Sequence, residues 1–98
     1  TAVFVTSDQM AFGVYEYARK HGIRIPEDIS VIGFDDEISS EDLGLTTFRQ
    51  STTEIGDIAA QMMLDQIDGK QVPPIIRCRA EIVERNSVKT IKGFRFFG

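Results

Sequence analysis

Tryptophan is absent from this 98-residue sequence, and cysteine and histidine occur once each, as Cys78 and His21. A lone cysteine closes no internal disulfide, which fits a reducing compartment, the cytoplasm by default. Positive charge is scarce: 11 Lys and Arg against 15 Asp and Glu leave a net charge of −4. Gripping a phosphate backbone takes clustered cations, so this segment is not expected to hold DNA or RNA by itself. No apolar stretch approaches the roughly 20 residues of a membrane span, and no basic-then-apolar leader opens the chain. Gly13, Gly22 and Gly33 lack the spacing of a phosphate-cradling loop. The chain opens inside a strand-like segment without a methionine, so further protein is expected upstream.

What is present has globular proportions. Hydrophobic residues make up 42% and charged residues 27%, which argues against disorder. The length suits one small domain, burying only roughly two-thirds of its unfolded surface. "AVFVT" (residues 2–6) is short, apolar and β-branched, and predicts a buried strand. "SDQMAFGVYEYARKHG" predicts a helix capped by Ser7 or Asp8 and stopped by Gly22. Its core faces combine Met10, Val14 and Tyr17 with Ala11, Tyr15 and Ala18. After a connector carrying Pro26, "SVIGF" (residues 30–34) predicts a second buried strand. A strand, a helix and a strand joined by short loops form a right-handed crossover unit of a parallel sheet, so the fold class is α/β.

The later half repeats the theme. "LTTF" (residues 45–48) is a brief extended piece. A long amphipathic helix follows, begun by Ser51 with Glu54 or by Thr52, with Ile55, Ile58, Met62 and Ile67 among its apolar face. "IIRCRAEIVER" (residues 75–85) predicts strand, and "NSVKTIKGFRFFG" is a basic, aromatic tail with no clear period.

Candidate chemistry concentrates where strands end. Ligands of parallel sheets bind beyond the carboxyl ends of the strands, and "TSD" (6–8) and "DDE" (35–37) both fall there. Clustered acids can hold a divalent cation or accept a phosphoryl group, but a solvated turn or a ligand contact is the reading this stretch favours. A phosphoryl acceptor would need its acid pair after the first strand, which this order does not supply. His21 reads as a helix-end residue, Cys78 as a structural thiol, and Met62 and Met63 as core. No catalytic constellation and no cofactor are expected.

"TSDQMAFG" (6–13), "GIRIPEDISVIGFDD" (22–36), "LTTFRQ" (45–50) and "IVERNSV" (82–88) together resemble the LacI/GalR family of bacterial transcription regulators. The resemblance covers roughly residues 2–88, in the C-terminal part of the family's effector-binding core. It implies a partial periplasmic-binding-protein-like type I fold. About 1–48 would belong to the second lobe, 49–78 would cross to the first, 79–88 would be a return strand and 89–98 a tail. Asp35 then matches the aspartate that closes on effector hydroxyls, usually of a sugar. Ser7 stands where the family often has asparagine, Gln50 sits at the crossover and Thr52 lies just beyond it. Asp8 reads as a helix cap, and Asp36 and Glu37 as solvent-facing or turn-capping. Phe12 matches a subunit-contact position, and the loop 38–44, which lacks the family's Pro-Pro, is a second dimer candidate.

Implied partners are a small-molecule effector, a second copy of the chain, and operator DNA held through a domain not in this segment. No metal or membrane is implied. A periplasmic sugar-binding protein or a stand-alone association module are the alternatives. Half a cleft should bind effector poorly alone, and its uncovered apolar faces should drive self-association.

Overall fold

The computed structural model describes residues 1–91. The phenylalanines of the basic, aromatic tail lie outside the described residues. The chain divides into two compact units, Thr1–Arg49 with Ile82–Gly98, and Gln50–Glu81.

The first unit begins with β1 (Ala2–Phe4), α1 (Asp8–His21) and β2 (Ser30–Ile32). β1 and β2 pair in parallel, Ala2 with Ser30 and Phe4 with Ile32, as the crossover pattern predicts. Beyond β2 the sheet continues through a parallel bridge from Ile32 to Thr46. The Gly33 and Asp35 amides carry it on, donating to the Thr46 and Phe48 carbonyls at 2.9 Å. Residues 38–43 form a short helix, α2 (Ile38–Leu43), where a loop was expected; the left-handed Gly44 (φ 73°) closes it. β3 (Thr47–Arg49) follows and pairs with β4 (Glu81–Val83).

The core is small: Ala11, Val31 and Leu45 are fully buried, with Val3, Val5, Phe12, Val14 and Tyr15 packed around them. Two expected core positions turn outward, since Met10 is 62% and Tyr17 57% exposed. The inward face of α1 is instead drawn by Asp8, Ala11 and Ala18. β1 is likewise not the buried strand its composition predicts, because Ala2 and Phe4 stand exposed. Nothing among the described residues covers that side.

Residues 84–89 hold this unit from behind. The Asn86 amide donates to the Gly44 carbonyl, and the Lys89 amide to Ser30 Oγ. Ser87, 1% exposed, uses one hydroxyl twice: Oγ donates to the Val31 carbonyl (2.5 Å) and accepts from the Thr46 amide (2.8 Å). Burial raises the Tyr15 phenol, and the polar Ser87 side chain works against it.

The second unit is α3 (Thr52–Ile67) and the chain after it. Ser51 caps the helix, its Oγ accepting from the Glu54 amide at 3.2 Å. None of its residues is buried; Met63, Leu64 and Ile67 are all more than half exposed. The amphipathic stripe exists, but the described residues supply no second surface for it. Residues 75–80 adopt no strand, which confines the predicted strand to Glu81–Val83. Cys78 is half-buried and free.

The connector before β2 carries its own local clamp. The Arg24 side chain donates to both carboxylate oxygens of Asp28, at 3.0 and 3.1 Å, and the Arg24 amide adds a third bond at 2.8 Å. The side-chain bonds first, then the backbone one, bring the Asp28 carboxyl down from 3.8 to about 2. The folded state therefore favours the ionised form. That contribution is complete above the ordinary value and is lost as pH falls towards 2. By carboxyl-detected NMR, Asp28 should titrate near pH 2, and Arg24→Gln should move the midpoint back towards 3.8. An unchanged midpoint in the variant would contradict the assignment.

Candidate functional site

The polar residues at the strand ends are arranged by one buried carboxylate. Ser7, not Asp8, is the cap of α1: its Oγ accepts from the Met10 amide at 3.3 Å. Asp8 takes the first helical position, where its charge also suits the helix dipole, and it is fully buried. Its Oδ1 accepts from Thr47 Oγ1 at 2.6 Å. Its Oδ2 accepts from Ser40 Oγ at 2.5 Å and from the Glu37 amide at 2.8 Å. Three segments distant in sequence, the 35–37 turn, α2 and β3, are thus tied to the start of α1. Gly33 makes the approach possible, because a side-chain carbon there would run into Asp8 Oδ1 and lie 3.0 Å from Leu45 Cδ2.

The acidic turn is held in an unusual backbone state. Asp35 (φ 114°) and Asp36 (φ 59°) both have positive φ, a region that L residues with side chains enter at a cost. The Asp35 amide is anchored to the Phe48 carbonyl, while its carboxylate is exposed and takes no partner among the described residues. Asp36 does not face solvent as expected. Its side chain is 11% exposed and accepts from Arg49 Nε at 2.7 Å and from the Arg85 guanidinium at 2.8 Å. Burial is the largest single influence on Asp36 and opposes its charge. The hydrogen bonds of Arg85 and Arg49 together outweigh it and hold the carboxyl below its ordinary value. Glu37 is the backbone cap of α2 without a side-chain bond. Among the described residues no group of three or more His, Cys, Asp or Glu side chains is placed to hold a metal ion. No helix among them is long and apolar enough to cross a membrane.

The short apolar strand β2 thus leads into an exposed carboxylate on an anchored backbone, and comparison with known proteins gives it a context. The profile of the periplasmic binding protein-like domain matches residues 1–88. The chain belongs to that family. Its matches among known proteins are transcriptional repressors and LacI family regulators. The transcriptional repressor PurR of Vibrio atlanticus (strain LGP32) is 42% identical over 94 residues, which cover 93% of this chain and 28% of the repressor. A LacI family transcriptional regulator from Enterococcus faecium, solved with bound ribose, superposes with a TM-score of 0.81 at 34% identity. That match covers 94% of this chain and 35% of the regulator. A lac repressor dimer bound to operator and the anti-inducer ONPF gives a TM-score of 0.83 at 33% identity, over 92% of this chain and 32% of that one. The chain thus spans about a third or less of these relatives.

In this periplasmic-binding-protein-like segment, Ser7 and Asp35 follow the carboxyl ends of the paired strands β1 and β2. The Asp8 amide joins the two ends by donating to the Phe34 carbonyl at 2.8 Å. Gln50 and Thr52 belong to the second unit, Gln50 half-buried and Thr52 exposed in the first turn of α3. Phe12 is half-buried on α1 and packs against the core cluster. Arg85 and Asp8 are the residues that sequence reading missed. Their roles depend on contacts across 49 and up to 39 positions, and no local pattern announces such pairs.

Proposed function

We propose that this segment is the effector-binding and dimerisation region of a sugar-responsive LacI/GalR-type transcriptional regulator. The observation that carries the reading is Asp35: an exposed carboxylate at a parallel-strand end, held in a constrained turn, in a chain whose relatives are repressors. An ionised carboxylate accepts charge-assisted hydrogen bonds from two neighbouring hydroxyls, which suits one face of a sugar. Ser7 supplies a further polar contact, and Phe12 contributes to a homodimer. In the parent protein residues 1–48 lie in the second lobe, 49–78 cross to the first and 79–88 form a return strand. Operator DNA is held by a separate domain, the protein acts in the cytoplasm, and it is not an enzyme. Effector binding shifts the balance of lobe orientations and with it the affinity for operator.

Calorimetric titration of the longer regulator against a sugar panel, ribose included, tests this. Two charge-assisted bonds at about 1.5–3 kcal/mol each predict that Asp35→Ala weakens the bound sugar by roughly 100-fold or more. Equal binding by wild type and variant would overturn the assignment. The isolated segment is expected to bind no sugar at micromolar concentration.

A further inference from the structure

The two positive-φ residues cannot be explained by Asp35 alone, because an exposed carboxylate holds nothing in place. Two consecutive non-glycine residues in this region persist only where their surroundings over-determine them. The Asp35 amide bond to Phe48 and the Glu37 amide bond to Asp8 fix the two ends of the turn. Its middle is fixed by Asp36, gripped from two directions. Arg49 is the last residue before the chain leaves the first unit, and Arg85 lies three positions after it re-enters at Ile82. Arg85 is itself held, 16% exposed, its guanidinium donating to the Leu45 carbonyl at 2.9 Å and its amide to Thr46 Oγ1 at 3.0 Å. One carboxylate therefore ties the turn to both of the segments through which the chain passes between units.

We infer that Asp36 is a positioning residue: through Arg49 and Arg85 it sets the aim of the Asp35 carboxylate and links that aim to the two crossing segments. The inference deepens the effector-binding reading and rests on it for the purpose of the aim, but the linkage is a property of the chain itself. A change in either crossing segment then reaches Asp35 through a charged pair rather than through the core.

Amide hydrogen exchange in this chain tests it without any sugar. Asp36→Asn keeps the shape and removes the charge. The Asp35 amide should then exchange about 10-fold faster or more, while the Val5 amide, bonded to the Ile32 carbonyl between β1 and β2, stays within about two-fold. Arg85→Gln should reproduce the same split. Equal acceleration at both amides would reveal only a loss of overall stability and would overturn the inference, as would no change at Asp35. If the exchange split appears but no sugar binds the longer regulator, the effector reading fails and the linkage stands.

Discussion

Asp8→Ala is expected to abolish cooperative folding of this chain. The substitution strips the partner from two hydroxyls and one backbone amide in a site with no solvent access. Each buried donor left without an acceptor costs about 1–3 kcal/mol, so three of them total roughly 3–9 kcal/mol. A whole domain is typically stable by about 5–15 kcal/mol, and this one has a core of few fully buried apolar side chains. Far-ultraviolet circular dichroism in urea should show a clear transition for the wild type and none for the variant. Asp8→Asn separates the chemistry from the volume. Its one oxygen must serve the Glu37 N–H, which can only donate, while the Thr47 hydroxyl can turn and accept from the new amide. The asparagine variant should therefore retain a transition, weakened by about 1–2 kcal/mol. If alanine and asparagine destabilise equally, the hydrogen-bond account of Asp8 is wrong.

This carboxylate also shows where sequence reading reached and where it stopped. The strand–helix–strand order of the first 34 residues follows from local composition, and so does the left-handed stop at Gly22, while the cap is Ser7, one of the two residues the sequence offers. Asp35 could be singled out because an apolar strand that ends in acids is a local pattern. Asp8 could not be, since an aspartate beside a helix start reads as a cap whether its carboxylate meets solvent or three donors. Asp36 was placed in solvent for the same reason: its arginines stand 13 and 49 positions away. The burial of apolar faces was overestimated in a consistent direction. Periodicity shows that α1 and α3 have an apolar side, but only a second layer makes that side a core. Met10, Met63 and Ile67 are left exposed where none is described. Residues 75–80 fail as strand because β-propensity needs a neighbouring ladder to be realised.

Ser87→Ala is expected to cost about 2–4 kcal/mol, more than the loss of one oxygen atom suggests. The hydroxyl lies between two buried backbone groups that have opposite needs. It donates to the Val31 carbonyl and accepts from the Thr46 amide, and so fills the place where β2 and the residues before β3 would otherwise bond to nothing. Alanine leaves one buried N–H and one buried C=O, each at about 1–3 kcal/mol, partly relieved if the Val31 carbonyl keeps a contact elsewhere. Val31 and Leu45, the largest buried side chains, flank this junction, so its opening admits water to the centre of the core. Ser87→Cys tests the bonding against the packing: the thiol fills the space but donates and accepts weakly. Urea denaturation should rank wild type above cysteine and cysteine at or slightly above alanine. A cysteine variant as stable as wild type would show that Ser87 matters through volume alone. The same substitution should speed exchange of the Thr46 amide more than that of the Val5 amide, because only the former loses its acceptor.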